Sequence, residues 1–350
     1  MRFSDTLEQV WPAFVLVTGL LLVGLAAHAD GLFAHAGRLL ERFPGSAVAL
    51  LLVSMLLVSV VTAVLNLDTA VVFLTPVVVL AARHRGVQEE PFLFSVVFMA
   101  NASSLFLPGS NLTNLLVLDR HPVSGSAFAG QMVAPALVAA LATAAGLVAI
   151  FRRRLGRAAA APPFAAAASS AGVGLAATLA AAALTLALSN PALAVLAVGI
   201  AAVATQIARG RLEPAAVTRA VGPFALIALF ALSVGVGVLA RSWDGPARLL
   251  DGAGLWGTAA VGALASVAIN NLPSAVLLSA RPLAHPRALL IGLNLGPNLA
   301  VTGSLSAYLW FKAAAQLQTR PSLVAFTRRG LLLAPIAIVG ALAAITLFRP

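Results

Sequence analysis

Asp68 is the residue of this chain best placed to do chemistry. It lies deep inside an apolar stretch, with 58–65 before it and 70–74 after it. The rest of the 11 acids (Asp5, Glu8, Asp30, Glu41, Glu89, Glu90, Asp119, Glu213, Asp244 and Asp251) lie at or near the ends of apolar segments. An acid in hydrocarbon costs roughly 3 kcal/mol on insertion scales and is a functional hypothesis by default. Desolvation favours its protonated form. The start of a helix, with free N–H groups and a positive dipole end, favours the carboxylate. A group held between these tendencies can bind and release a proton near neutral pH, which makes Asp68 the candidate proton-coupling residue. The competing structural role is a helix cap at a turn.

Asp68 belongs to the first of two matching stretches, Asn66-Leu67-Asp68-Thr69-Ala70-Val71 and Asn271-Leu272-Pro273-Ser274-Ala275-Val276. Each is followed by a polar run in otherwise apolar sequence. The first run offers Asn101, Ser103, Ser104, Ser110, Asn111, Thr113 and Asn114, interrupted by Pro108 and Gly109. The second offers Asn294, Asn298, Thr302 and Ser304, interrupted by Gly296, Pro297 and Gly303. Unsatisfied polar groups in hydrocarbon cost several kcal/mol, so such runs survive only inside protein or facing a wet cavity. Paired interruptions in two halves of a chain mark a transporter's binding site. These side chains, with Asn66, Thr69, Asn270, Asn271 and Ser274, are the candidate substrate ligands. Pro273 stands where Asp68 stands in the first half, so titratable coupling rests on one half, and the nearest partners expected for Asp68 are Asn270, Asn271 and Asn294.

No Lys or Arg falls in these four stretches. A multiply charged carboxylate or phosphate would more naturally meet an Arg clamp; a small neutral, hydroxyl-bearing solute suits amides and hydroxyls. His28, His35, His84, His121 and His285 lie near segment ends and form no metal-spaced cluster. With no cysteine, thiolate ligation and disulfides within the chain are excluded. No phosphate-binding loop, nucleophile elbow or His-Glu-x-x-His pair occurs. No cofactor is called for. An intramembrane enzyme using Ser103 or Ser110 with Asp68 has no supporting base pair, and the chain reads as a non-enzyme.

The elements that must position these groups follow from composition. The chain is 61% hydrophobic and 9% charged, with mean hydropathy +1.00, against about 25% charged residues in soluble domains. This is a polytopic all-α membrane protein. The net charge of +11 resides mostly in loops, where orientation and lipid headgroups account for it, so nucleic acid is not a partner. Nothing at the start resembles a cleaved signal. Apolar segments fall at 11–29, 45–65, 69–82, 91–118, 124–151, 170–188, 191–208, 220–240, 253–269, 273–280, 286–311 and 331–348. The short segments after the polar turns make 45–82 and 253–280 re-entrant hairpins. The segments 91–118 and 286–311 are spanning helices broken in the middle.

If each hairpin returns to its own side, the basic residues sort unevenly. Arg38, Arg42, Arg83, Arg85, Arg152, Arg153, Arg154, Arg157, Arg209, Arg211, Arg219, Lys312, Arg320, Arg328 and Arg329 share one side. Arg2, Arg120, Arg241, Arg248, Arg281, Arg287 and Arg349 share the other. The richer side is cytoplasmic by the positive-inside rule. The repeats, 11–151 and 220–348, are then of inverted topology, joined by 152–219 with two spanning helices and a linker at Arg152–Phe164. Both termini come out external, and the chain belongs in the cytoplasmic (inner) membrane.

Leu67-Asp68-Thr69-Ala70-Val71-Val72-Phe73-Leu74-Thr75-Pro76, Ala102-Ser103-Ser104-Leu105 through Asn114, Asn270-Asn271-Leu272-Pro273-Ser274, and Leu295-Gly296-Pro297-Asn298 through Leu305 together resemble the arsenite/antimonite efflux permeases of the ion transporter superfamily, which also holds sodium–dicarboxylate symporters. The resemblance runs over about 11–347. It implies substrate held between hairpin tips and broken helices near the midplane, and arsenite or antimonite extruded in exchange for protons, in some organisms with a cytosolic ATPase subunit. The chain departs from those pumps in lacking spanning helices before the first repeat. It also has Asn294 where they commonly carry an aspartate, and Asn101 at another polar or acidic position. The alternative is a sodium- or proton-coupled transporter of a small anion, a dicarboxylate or an inorganic oxyanion. An uncoupled channel-like subunit is the reading from another class.

Overall fold

The computed structural model describes residues 2–119, 123–155, 172–243 and 245–347, and among them the only regular elements are helices. The first half holds α1 (Arg2–Ala29), α2 (Leu32–Arg42), α3 (Ala47–Val64), α4 (Leu67–His84), α5 (Glu89–Ser103), α6 (Leu112–Leu118) and α7 (Gly125–Phe151). Two helices, α8 (Val173–Ala187) and α9 (Ala192–Ala208), follow. The second half holds α10 (Pro214–Val221), α11 (Pro223–Ser242), the single turn α12 (Gly245–Arg248), α13 (Gly254–Ile269), α14 (Asn271–Leu278), α15 (Pro286–Leu295), α16 (Leu305–Gln316) and α17 (Leu323–Leu347). Six stretches, Thr6–Ala29, Ala47–Val64, Leu67–His84, Gly125–Phe151, Pro214–Ala240 and Leu323–Leu347, are long and apolar enough to cross a membrane. Arg120, His121, Arg157, Asp244, Arg349 and most of the linker expected at Arg152–Phe164 lie outside the described residues.

Both expected breaks are real. Between α5 and α6 the chain leaves the helix after Ser103, and Pro108–Ser110 forms a 3-10 turn. Between α15 and α16 it makes two such turns, Gly296–Asn298 and Val301–Gly303. Each break sets a proline beside a glycine, Pro108-Gly109 and Gly296-Pro297, a pair that weakens the helix further than the lone prolines carried inside α4, α7 and α17 (Pro76, Pro135 and Pro335).

Both hairpins are also present as helix pairs. The α3–α4 pair has its open ends fastened together, because the Arg85 guanidinium donates to the carbonyls of Glu41, Phe43 and Gly45. Its closed end lies beside the first break: Ser103 Oγ donates to Ser59 Oγ (2.8 Å) and Ser110 Oγ to the Ala63 carbonyl (3.2 Å). The helix after the turn is longer than the apolar run suggests, 18 residues, because Leu67 and Asp68 open it and Arg83 and His84 close it. Apolar runs also miss α2, whose polar face carries His35, Arg38, Glu41 and Arg42 while Phe33, Gly37 and Leu40 are buried at helical spacing.

Packing alternates the two halves. The most extensive contact joins α1 to α9, with α8 packed beside them, and α7 packs along α17. Within each half the hairpin's first helix lies on the broken helix, α3 on α5 and α13 on α15. Across the halves, α4 lies on α16 and α14 on α6. Close backbone approach sets several of these contacts. A Cβ on Gly330 of α17 would fall 1.7 Å from the Asn298 carbonyl oxygen, and one on Gly292 of α15 would fall 2.1 Å from the Ala259 carbonyl oxygen.

Charge gathers at one end. Glu90 pairs with Arg154 and with Arg329 (2.5 Å), whose guanidinium also lies over Phe94 (4.2 Å) and Phe151 (4.9 Å). His84 meets Glu41 at 2.7 Å. At the end of α1, buried Asp30 receives the Gly174 N–H (2.5 Å) and Arg211 (3.0 Å), tying α1 to α8 and the end of α9. Burial alone would raise the Asp30 carboxyl, but hydrogen bonds from Gln206, the Gly174 N–H and Arg211 hold it below the usual carboxylate range. Its stabilising effect is therefore present above about pH 4 and lost as pH falls through the folded-state value.

Two expectations follow. Replacing Gly330 by Ala lowers stability by about 1–3 kcal/mol through overpacking against Asn298, seen as a lower unfolding midpoint of the detergent-solubilised protein. In Asp30→Asn, the fall in unfolding midpoint on acidification below about pH 4 becomes shallower than in the native protein.

Candidate functional site

The two breaks meet, and amides join them. Asn294, in the last turn of α15, makes four side-chain hydrogen bonds. Its Oδ1 accepts from Ser104 Oγ (2.5 Å) and Asn111 Nδ2 (2.7 Å); its Nδ2 donates to Asn114 Oδ1 (2.9 Å) and the Leu290 carbonyl (2.8 Å). Asn101 Nδ2 donates to Asn298 Oδ1 (2.8 Å), and Asn298 Nδ2 reaches the Phe98 carbonyl (3.2 Å). Asn114 Nδ2 takes up the carbonyls of Ser104 and Leu107 that the break leaves free (2.7 and 3.2 Å). Residues about 180–200 positions apart thus form one buried lattice of amides and hydroxyls. Every group in it is uncharged.

Each break is also tied to its own hairpin. In the second half, Asn270 Nδ2 donates to the Thr302 carbonyl (3.3 Å), and Thr302 Oγ1 to the Val267 carbonyl (2.8 Å). Asn270 holds φ 75 and ψ 149, a region that side chains rarely adopt, while its Oδ1 caps α14 at the Leu272 N–H (3.2 Å). Strain of this kind persists only where the surroundings over-determine it. Ser304 Oγ pairs with Ser306 Oγ at 2.6 Å.

At the first hairpin tip the helix cap is Asn66 rather than Asp68. Asn66 caps α4, its Oδ1 accepting the Thr69 N–H at 2.7 Å. Asp68 is the second residue of the helix, half-buried, and no hydrogen bond or ion pair reaches its carboxylate among the described residues. Asn270 and Asn294, two of its expected partners, are engaged elsewhere. Thr69 Oγ1, Asn66 Nδ2, Asn101 Oδ1, Thr113 Oγ1 and Ser274 Oγ are the fully buried polar atoms of the candidate ligands that have no hydrogen-bond partner among the described residues. Ser103 and Ser110 are engaged with α3, and Asn111 Oδ1 caps α6 at the Thr113 N–H (3.1 Å). Asn271 is buried at the start of α14. Residue types alone signalled none of this division of labour, because an Asn at a turn looks the same whether it caps, bridges or waits for a ligand.

The helix ends aim at the same level. Three contacts order α5 against the chain that ends at Thr319: Thr319 Oγ1 to Glu89 (3.0 Å), Trp310 Nε1 to the Leu93 carbonyl (2.8 Å), and Asn101 to Asn298. Their order shows α16 antiparallel to α5 and hence parallel to α4. The N-termini of α4 and α16 both point to the breaks, where a positive dipole end favours an anion or a polar neutral oxygen. A separate cavity of about 300 Å³ is lined by Gln9, Pro12, Pro108, Asp119, Ser124 and Asn190 among others.

A family model described as "Citrate transporter" matches residues 6–297. The chain belongs to this family. It is a multi-pass membrane transporter, and its likeness is to transporters rather than enzymes. A Bacillus subtilis (strain 168) protein named "Putative arsenical pump membrane protein" is 28% identical over 151 residues, covering 42% of this chain and 34% of that one. The chain thus matches about a third of the length of that curated relative. The crystal structure of the Alcanivorax borkumensis YdaH transporter, described as having an unusual topology, matches with a TM-score of 0.62 at 14% identity, covering 99% of this chain and 87% of that one. At that identity the likeness is one of fold.

The transporter's amide lattice makes a sharp demand on one position. Asn294→Asp cannot donate to Asn114 and Leu290 and brings a charge into a neutral lattice, so it destabilises the folded protein by about 3 kcal/mol. A lowered thermal midpoint in detergent, larger than that of Asn271→Asp, is the expected result.

Proposed function

We propose that this transporter exports arsenite or antimonite across the cytoplasmic membrane in exchange for protons, with Asp68 as the proton-coupled group. The observation that carries this reading is the wall of the site. Two broken helices and two hairpin tips supply amides, hydroxyls and helix N-termini, and one carboxylate, Asp68, that no hydrogen bond or ion pair reaches among the described residues. At neutral pH arsenite is mostly an uncharged trihydroxide, which hydrogen bonds can hold without a guanidinium. Thr69, Asn101, Thr113 and Ser274 are the ligands with open polar atoms. The arsenical name of the Bacillus relative supports the same substrate.

In this reading 11–151 and 220–348 are inverted repeats joined by 152–219, and the α3–α4 and α13–α14 pairs are re-entrant hairpins. The reciprocal packing of α4 on α16 and α14 on α6 supports that symmetry. The end rich in basic residues faces the cytoplasm. A cytosolic ATPase subunit, where one is present, would dock there.

The second reading is uptake of a small anion, a dicarboxylate or inorganic oxyanion, coupled to sodium or protons. The family's description and the convergent N-termini of α4 and α16 favour it. Growth of an arsenite-sensitive host expressing the chain, on arsenite, antimonite and control toxins, separates the two readings. So does flux into vesicles with a sodium gradient in place of a pH gradient.

Asp68→Asn abolishes pH-driven exchange and leaves the protein folded, as judged by gel filtration and thermal unfolding. Exchange that survives in this variant removes Asp68 from the coupling.

A further inference from the structure

Arg83 closes a ring that joins the two halves of the molecule. Its Nε binds Glu89, its Nη2 donates to the Leu317 carbonyl (2.8 Å) and to Thr319 Oγ1 (2.9 Å), and Thr319 Oγ1 in turn donates to Glu89 (3.0 Å). Arg83 ends α4, Leu317 ends α16 and Glu89 begins α5. One guanidinium therefore caps the negative end of α16, where free carbonyls and the dipole favour a cation, while fixing that end to α4.

The other ends of these two helices carry the candidate chemistry. From Arg83 back to Asp68 is fifteen residues, about 22 Å of helix. From Leu317 back to Ser304 is thirteen residues, about 20 Å. Two parallel struts of nearly equal length, pinned at one end, hold their far ends level. In the second half, Arg281 at the end of the other hairpin pairs with Asp251, which precedes that same hairpin, at 3.2 Å, and both are well exposed.

We propose that Arg83, with Glu89 and Thr319, is a positioning residue that sets the register of α4 against α16 and so holds Asp68 level with the second break, and that α4 and α16 move as one body through the transport cycle. This rests on the reading of Asp68 as the coupling group. A single exposed ion pair contributes little stability, so the ring's effect is on register rather than on folding.

The absence of cysteine lets two spin labels be placed without background, at Leu80→Cys on α4 and Tyr308→Cys on α16, both exposed positions. The native ring gives one narrow distance distribution, unchanged by arsenite or by a pH gradient. Arg83→Gln shifts or broadens it by about 1.5 Å or more, one residue's rise, and Arg83→Lys, which keeps charge but not the fork, lies between. In everted vesicles, Arg83→Gln lowers the rate at saturating arsenite about tenfold per folded molecule with KM little changed. An unchanged distribution in Arg83→Gln, or an unchanged rate, overturns the proposal. So does a label distance in the native protein that changes with arsenite or the gradient, since the contact is then a gate. If arsenite is not carried, or if Asp68→Asn keeps its exchange, the function proposed above fails while the label distances still judge the strut.

Discussion

Everything in this molecule answers to one constraint: a helix broken inside hydrocarbon must find partners for the groups it frees. Two helices are broken here, and each completes the other. Asn294 alone uses all four of its hydrogen-bonding positions, three of them on the opposite broken helix's side chains. Asn114 satisfies carbonyls that the first break exposes. A neutral lattice of this kind avoids the cost of burying charge and still brings the two halves to a common level.

The rest of the fold serves that meeting. The α7–α17 contact and the close backbone approach at Gly330 press the second break into place, and Asn66 and Asn270 cap the hairpin helices whose tips face the breaks. With capping and bridging assigned to asparagines, Asp68 is left as a half-buried acid without a partner among the described residues. The ring around Arg83 is kept at a distance, about 22 Å of helix from Asp68, so its reach to the site is mechanical, through stiff helices.

Much of this was legible in the sequence because hydrocarbon makes polar residues conspicuous. Pro108, Gly109, Gly296, Pro297 and Gly303 stand out in apolar runs, and all five lie where the helices break. Sequence reasoning missed α2, whose charges are spaced along its polar face, and the short helices α10 and α12, because a search for long unbroken apolar runs passes over all three. The two extra residues at each end of α4 escaped because Asp68 and Arg83 read as boundaries, although a carboxylate suits the first turn of a helix and a cation the last.

The sequence by itself determined the class of the protein and the place of its breaks, because hydropathy and backbone chemistry are local properties. Tertiary structure alone decided which polar groups satisfy each other and which stay open. Asn101 meets Asn298, Asn294 meets Asn114, and Asp68 meets neither Asn270 nor Asn294. Those pairings join positions about 180–200 residues apart, and no local rule fixes which of several chemically equivalent amides will face one another once the helices pack.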